Sequence, residues 1–277
     1  LSASNRLSAF DRYICEINNK GTMLNKMSAW WFKNTKHIID NHLIYSYNEH
    51  MVVKKTKPIL LEIVIRGYMT GESETSIWSM YKNGSREMYG IHFRDGYQKN
   101  EQLDSTVITT TIKGVKDVPI TQKEIIEQGY VTPEEYDFIV QSALQLFSYG
   151  QKIAREKGFL LVDTKYEFGR LENGQIILID ELHTCDSSRF WLEGSYQDRF
   201  EKGLEPEKLD KDCARDWIKS QCNPYTDDIP DVPESIQQKV EEVYHTYTQK
   251  MTGKCFDSQG SVSPEVFIQN YKFKIQF

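Results

Sequence analysis

The chain of 277 residues is long enough for one large domain or two closely packed lobes, and its 39% hydrophobic and 27% charged residues are typical of a globular protein. The formal net charge of −6 argues against a general nucleic-acid-binding protein, which normally carries a basic surface. No apolar run approaches the roughly 18–20 residues of a membrane span, so we expect no membrane-spanning helix.

The five cysteines are widely scattered and include no CxxC pair. An odd number without close spacing is typical of reduced thiols in a cytoplasmic protein; a disulfide framework or a zinc site is the alternative. The six histidines show neither HxxxH nor HExxH spacing, so we expect no histidine-based metal centre.

The first half of the chain predicts short strands and helices. A helix is expected from a cap at Thr22 to about His37, and the β-branched segments 51–55 and 58–65 predict strands. Ile77–Lys82 predicts a short helix that Asn83-Gly84 ends. The threonine-rich segment 98–117 has no clear period, so we interpret it as loop with short strand pieces.

Two longer helices are expected in the second half. The first covers about 133–157, with Thr132 as its N-cap and Glu135 at the capping-box position. A glycine at position 150, on the apolar stripe of this helix, indicates close packing. The second helix covers about 233–251. Amphipathic helices of this kind more often form the core than a functional site.

The segment between these helices is the most informative of the chain. It begins as a buried type of strand, 159–162, and then becomes strongly charged. Because side chains alternate along a strand, Asp163, Lys165 and Glu167 project from the same face. Three ionised groups are costly to bury without partners, so this face predicts a site rather than a core.

The return strand of the hairpin supplies another charge. Asn173-Gly174 favours a two-residue type I′ turn, and pairing outward from it places Glu167 directly opposite Asp180. Two carboxylates in facing positions repel, and a Mg²⁺ ion bound together with substrate phosphates would remove the conflict. Lys165 is then a natural phosphate contact. The alternative is a solvent-facing hairpin whose charges are simply hydrated.

Four segments carry a wider resemblance, and they follow one another in a fixed order along the chain: Arg6–Asp11, Leu61–Gly71, Leu161–Gly169 and Thr184–Trp191. They resemble, respectively, the early Ser-Ala-Phe-Asp element, the first signature, the second signature and the block after it in the phosphoribosylaminoimidazole-succinocarboxamide synthase (SAICAR synthetase) family. The similarity covers about residue 2 to Phe256.

The resemblance implies an α+β fold with two lobes. The expected lobes are a small β-rich N-terminal lobe, residues 1–55, and a larger α+β catalytic lobe, residues 56–277, with ATP in the cleft and a hinge near 52–55. The implied activity is an ATP-dependent ligation of 4-carboxy-5-aminoimidazole ribonucleotide to L-aspartate through an acyl phosphate. The products are SAICAR, ADP and phosphate, in de novo purine biosynthesis. The cofactors implied are ATP and Mg²⁺, the partners are small molecules, and neither nucleic acid nor a membrane is expected.

The resemblance also assigns roles to residues. Glu167 and Asp180 would hold Mg²⁺ on the nucleotide phosphates, and Lys165 would contact the phosphoryl group and the substrate carboxylate, with Asp163 orienting it. The residues expected at the ribonucleotide are Arg66, Arg189, Ser8, Asp11 and Ser188. The residues expected at ATP, besides Lys165, are Val52 and Lys54.

The chain departs from the family pattern at four places. A glycine-lysine strand-turn-strand that covers ATP would precede Leu1, and we expect the complete protein to carry such a stretch of roughly 20–40 residues. Glu72 stands where the family usually has a substrate-binding serine, with Ser73 one place later. Cys185 and Thr110 each replace a usual proline.

Three other functions are compatible with parts of this pattern. Inositol polyphosphate kinases share the nucleotide-binding architecture and an Asp-x-Lys motif, but they lack the segments like 66–71 and 187–191. A catalytically inactive relative that binds ATP or a partner is a second possibility. A purely structural or interaction protein is a third, although it would not need the charged strand face.

Overall fold

The computed structural model describes residues 1–10, 12–73, 75–114, 118–209, 212–253 and 263–274. The strands in these ranges are β1 (Arg6–Ala9), β2 (Arg12–Glu16), β3 (Leu43–Tyr47), β4 (His50–Val53), β5 (Lys57–Pro58), β6 (Leu61–Tyr68), β7 (Glu87–Met88), β8 (Ile91–His92), β9 (Gln102–Ile112), β10 (Val118–Ile120), β11 (Phe159–Arg170), β12 (Ile176–Ile179) and β13 (Ser188–Leu192). The helices are α1 (Lys20–Asn34), α2 (Ile77–Lys82), α3 (Gln122–Glu127), α4 (Pro133–Glu156), α5 (Glu193–Glu201), α6 (Asp212–Gln221), α7 (Glu234–Thr252) and α8 (Pro264–Lys274).

The strand β11 is the centre of the main sheet. The strands follow the order β10-β9-β6-β11-β12, and β13 and β5 also pair with β11. The first half of β11 lies between β6 and β13, and its second half pairs with β12 and β5, all antiparallel. The loop that joins β12 to β13 therefore passes the middle of β11, where the Lys165 N–H donates to the Ser187 carbonyl oxygen at 3.0 Å.

The two faces of β11 have different surroundings. Thr164, Tyr166 and Phe168 alternate with the charged residues and are buried. The Tyr166 hydroxyl is hydrogen-bonded to Nε2 of the buried His183 at 2.6 Å, and α4 packs against the same strand. The apolar side of β11 is thus fixed by the helical layer, which leaves Asp163, Lys165 and Glu167 on the other side.

The long helices agree with the sequence pattern. Both halves of the predicted capping box are present at the start of α4: the Glu135 N–H donates to Thr132 Oγ1 at 3.3 Å, and the Thr132 N–H donates to Glu135 Oε2 at 2.8 Å. The helix α7 ends at Gly253, whose φ of 69° lies in the left-handed region. Each helix is confirmed to within one or two residues, because its end signals are local.

One predicted helix has different ends, and one predicted loop was wrong. The first helix begins at Lys20 rather than at a cap on Thr22, because Asn19 adopts a φ of 56° and accepts the Met23 N–H at 2.9 Å. The segment 98–117, predicted as loop, contains the eleven-residue strand β9. Its threonines at 109–111 are buried between β6 and β10, where β-branched side chains pack well, so periodicity gave no signal.

The N-terminal segment 1–55 contains two hairpins, β1–β2 and β3–β4, with α1 between them. The helix packs against α7, near the other end of the chain. No disulfide joins the described cysteines, which are Cys15, Cys185, Cys213 and Cys222. None of the helices in the described residues is both long and apolar enough to cross a membrane.

The packing of α4 on the sheet generates a stability prediction at Gly150. A Cβ atom at this position would lie 2.8 Å from His183 Nδ1 and 2.8 Å from Leu161 Cδ2. We expect Gly150→Ala to lower the free energy of unfolding, measured in urea, by about 1–3 kcal/mol, because both neighbours are buried and must move. Gly194→Ala in α5 is the control, since a Cβ there meets nothing within 4 Å. Equal losses in the two variants would contradict the prediction.

Candidate active site

A row of three charged side chains crosses the middle of the sheet. Asp163 on β11 pairs in register with Arg66 on β6 and with Arg189 on β13. Its Oδ2 atom lies 2.9 Å from Arg189 Nη1 and 3.6 Å from Arg66 Nη1. Arg66 is further held by the hydrogen bond that its Nε donates to Thr109 Oγ1 at 2.9 Å. One carboxylate shared by two guanidinium groups leaves a net positive charge, which suits a phosphate or carboxylate ligand.

Lys165, two residues along β11, is surrounded by acids. Its Nζ lies 2.5 Å from Glu167 Oε1, 3.1 Å from Glu62 Oε1 and 3.5 Å from Asp180 Oδ2. Although burial alone would lower the pKa of Lys165, the carboxylates of Glu167, Asp180 and Glu62 raise it above its ordinary value. The side chain is therefore an ammonium group at neutral pH. Asp163, which we expected to orient Lys165, instead contacts the two arginines.

The hairpin after β11 differs from the predicted one. The Leu171 N–H donates to the Gln175 carbonyl oxygen at 2.9 Å, so the loop contains three residues, and its last residue, Gly174, has a φ of 86°. A type I turn closed by a glycine in the left-handed region is the usual form of such a loop. The extra residue shifts the pairing by one position. Glu167 therefore faces Ile179, and the predicted direct opposition of Glu167 and Asp180 was wrong.

Glu167 and Asp180 nevertheless lie close together, because both contact the Nζ atom of Lys165. Asp180 follows the last residue of β12 and adopts a φ of 67°. Burial and the charge of Glu167 raise the pKa of Asp180. Glu167 also contacts Lys113, whose Nζ lies 2.6 Å from its Oε2 atom. Although burial opposes it, Lys165 and Lys113 lower the pKa of Glu167, so this carboxylate is ionised at neutral pH.

The candidate ligands for a magnesium ion in this part of the site are the carboxylates of Glu167 and Asp180. Within the described ranges, no group of three or more His, Cys, Asp or Glu side chains is arranged to hold a metal on its own. Mg²⁺ in nucleotide sites usually takes one or two carboxylates and completes its shell with phosphate oxygens and water. Glu167 and Asp180, whose charges disfavour each other, fit such a partial set.

The loop between β12 and β13 is fixed from several directions. Asp186 forms an ion pair with the buried Lys20 of α1, and its Oδ1 accepts a hydrogen bond from the Tyr244 hydroxyl of α7 at 2.5 Å. Ser188 is hydrogen-bonded to Thr164 through their hydroxyl groups at 2.7 Å. The loop is thus held by α1 and α7 on one side and by β11 on the other.

Three neighbouring cavities share wall residues along the charged face, and together they are called the cleft. The first, of about 390 Å³, and the second, of about 200 Å³, share Asp186 in their walls. The second and the third, of about 240 Å³, share Arg189 and Arg215. The second cavity has in its wall five of the residues predicted for the site: Arg66, Asp163, Lys165, Ser188 and Arg189.

The remaining predicted residues are more dispersed. Ser8 and Asp180 line the first cavity, together with Met51. Val52 and Lys54, expected at ATP, are absent from the walls of these three cavities in the described part of the chain. The prediction for Asp11 falls on a residue outside the described ranges.

Sequence reasoning missed several charged groups of the cleft. Glu62 lies in the segment Leu61–Gly71, which was identified as a strand and as a family signature, but no role was assigned to it. Lys20, Lys113 and Arg215 are isolated charges without a local motif. Glu62 is the exception with a usable signal, because it lies on the same face of β6 as Val64 and Arg66, which are the register partners of Lys165 and Asp163. The other three reach the site through tertiary packing.

The mixed fold, with its cleft lined by charged side chains, defines an α+β protein. The family profile of SAICAR synthetase matches residues 1–232, and the chain belongs to this family. The α+β fold class predicted from the sequence is confirmed by solved structures. A SAICAR synthase from Saccharomyces cerevisiae complexed with SAICAR has a TM-score of 0.79 and 28% identity over 92% of this chain and 89% of that one.

Two named synthases are more similar in sequence to this chain than that structure is. The chain is 45% identical, over 93% of its length, to the chloroplastic phosphoribosylaminoimidazole-succinocarboxamide synthase of Arabidopsis thaliana, of which it spans 63%. It is 43% identical, over 95% of its length, to the synthase of the same name from Legionella pneumophila (strain Lens), of which it spans 86%.

The shared carboxylate of the arginine row generates the prediction for this site. Asp163→Asn keeps the shape but removes the charge that two poorly exposed arginines share, so we expect a loss of about 1–3 kcal/mol in the free energy of unfolding. Asp95→Asn is the matched control, because Asp95 is 91% exposed and pairs with Arg86 at 2.7 Å. That change is expected to cost less than about 1 kcal/mol. Similar losses in both variants would show that the row contributes no more than a surface pair.

Proposed function

We propose that the protein is an ATP-dependent ligase that joins 4-carboxy-5-aminoimidazole ribonucleotide to L-aspartate, giving SAICAR, ADP and phosphate. The observation that carries this proposal is the placement of the Lys165 ammonium group, among three carboxylates, beside the row of Arg66, Asp163 and Arg189. Such a cleft can bind a phosphoryl group and a carboxylate next to each other, as amide formation driven by ATP requires. The family membership of the chain supports the same reaction.

The chemistry consists of two displacements. An oxygen of the ribonucleotide carboxylate attacks the terminal phosphorus of ATP, and the bond to ADP breaks. The amine of aspartate then attacks the carbonyl carbon of the acyl phosphate, phosphate leaves with the electron pair, and the nitrogen loses a proton. Lys165 offsets the negative charge that builds up on the transferred phosphoryl group, and no nucleophilic side chain is required.

The magnesium ion of this proposal would be held by Glu167 and Asp180. When bound, Mg²⁺ supplies positive charge to the nucleotide phosphates and orients them. Lys113 contacts the second oxygen of Glu167 and limits the direction in which that carboxylate can point. The two lysines keep Glu167 ionised, which prepares it as a hard oxygen ligand.

The proposed ligand positions follow the cavities of the cleft. Arg66, Arg189 and Ser188 would hold the ribonucleotide in the second cavity, and Ser8 would line the adjoining first cavity. Asp11 keeps its assignment at the ribonucleotide on the resemblance alone. Val52 and Lys54 would contact the nucleotide, near the proposed boundary between a lobe of residues 1–55 and one of residues 56–277.

The cellular setting is part of the same proposal. The proposed location is the cytoplasm, because scattered cysteines without close pairs are typical of reduced thiols. Two plant relatives are chloroplastic by name. The partners are small molecules, and the net charge of −6 argues against a nucleic-acid partner.

The direct test is release of ADP from ATP with the ribonucleotide present and aspartate either added or omitted. We expect ADP release to depend on both substrates and to match the SAICAR formed in a one-to-one ratio, because each amide bond uses one phosphoryl transfer. ADP release that ignores aspartate would instead indicate a kinase. ATP binding without any turnover would indicate an inactive relative.

The metal assignment predicts the behaviour of Asp180→Asn. Loss of one charged ligand should raise the Mg²⁺ concentration for half-maximal activity, or lower the activity at saturation, by about 10–100-fold. Glu172→Gln, an exposed position in the hairpin loop, removes the same charge away from the cleft and should leave the titration unchanged. A Mg²⁺ titration of Asp180→Asn that overlays the parent curve would refute the assignment.

A further inference from the structure

The third cavity of the cleft is lined by a dense set of positive side chains: Lys99, Arg189, Lys208, Arg215 and Lys219. Three acidic side chains line the same cavity, Glu72, Glu205 and Asp216, and both Glu72 and Glu205 form ion pairs with Lys99. Positive charge concentrated in a recess of about 240 Å³ attracts a multiply charged anion such as a phosphate ester. The acidic side chains therefore contact the same lysines that an anionic ligand would bind.

Glu72 connects parts of the cleft that are distant in sequence. One oxygen, Oε1, lies 3.3 Å from Lys99 Nζ, and the other, Oε2, forms an ion pair with Lys219 of α6. The carboxylate follows Gly71, whose φ of 106° turns the chain after β6. The hydrogen bond from Lys219 lowers the pKa of Glu72, so the group is ionised near neutral pH. A carboxylate bridging two lysines resembles the anion that those lysines could otherwise bind.

Glu205 has a different position. Its Oε1 lies 2.6 Å from Lys99 Nζ and its Oε2 lies 3.7 Å from Lys208 Nζ. Because Glu205 thus pairs with Lys99 and Lys208, removal of Glu72 would leave Lys99 with an acidic partner. Lys219 would lose its ion pair with Glu72, and its charge would face the cavity.

We propose that Glu72 is an internal anion that competes with the phosphate group of the substrate for Lys219 and Lys99. This inference rests on the proposed function, because it takes the ribonucleotide as the ligand of the cleft. A phosphate monoester carries nearly two negative charges and three acceptor oxygens, so it outcompetes one carboxylate when it enters. The Glu72 side chain is 49% exposed, and it can turn into water when displaced. Anions therefore bind more weakly to the parent chain than to a chain without this carboxylate.

The test compares the affinity of ribose 5-phosphate, by isothermal titration calorimetry at fixed ionic strength, across four proteins. They are the parent chain, Glu72→Gln, Glu72→Ala and the control Glu127→Gln. Glu127 pairs with Lys123 on the exposed helix α3, so its change alters the net charge equally without touching the cleft. We expect Glu72→Gln and Glu72→Ala to bind about three- to tenfold more tightly, the effect of freeing one or two half-exposed ion pairs, and Glu127→Gln to match the parent.

Each outcome decides the proposal. Unchanged or weaker binding in both Glu72 variants, with thermal unfolding showing that they are folded, would overturn it, since Glu72 would then organise the cavity and not compete for it. Equal tightening in Glu127→Gln would overturn it as well, because only net charge would matter. The ADP-release assay is read separately: a parent chain that makes SAICAR while Glu72→Gln binds no tighter disproves this inference alone. Absence of ribose 5-phosphate binding in every protein, together with no SAICAR, disproves both.

Discussion

Charges on the inner face of β11 cannot be buried unless each one meets an opposite charge, and this constraint shapes the cleft. Asp163 and Glu167 are almost fully buried, and an unpaired ionised carboxylate in such a place would be strongly destabilising. The neighbouring strands supply the partners: β6 and β13 provide the arginines, and Lys113, just after β9, provides a lysine. Charge matching between strands therefore selects both the neighbours and their register.

The strand that pairs with β11 changes from β13 to β12 halfway along β11, and the site lies at this change. On one edge, β13 leaves the strand at Thr164 and β12 joins it at Glu167, so the connecting loop passes along that edge beside Lys165. Asp180 begins that loop in a left-handed conformation, and Asp186 is tied to α1 and α7 farther along. The same discontinuity that interrupts the sheet thus brings loop groups to Lys165, and a continuous sheet would have left no room for a ligand.

The sequence permitted a good account of whatever depends on local signals. The capping box of α4, the glycine that ends α7 and the alternation of Asp163, Lys165 and Glu167 were all readable, because each rests on a few adjacent residues. The hairpin register was not, since Asn-Gly serves both two- and three-residue loops and a single extra residue shifts every pair. Asp180 lies near Lys165 although the predicted register was wrong, because the backbone turns at Asp180. Contacts such as Lys20 with Asp186 depend on packing over long stretches of chain and leave no local pattern.

The two bonds of Asp186 also have a consequence for the order in which the molecule folds. Its partners, Lys20 and Tyr244, lie 166 and 58 residues away in sequence, on helices that pack against each other. Contacts of such high sequence separation require large loops to close before they contribute any stability, which makes them slow to form. The hairpin of β11 and β12 can pair early from nearby residues, whereas the loop beyond it is anchored only after the N-terminal and C-terminal helices have met. The cleft is therefore completed late in folding, and a chain released before α7 is made would have the sheet without one of the two anchors of this loop.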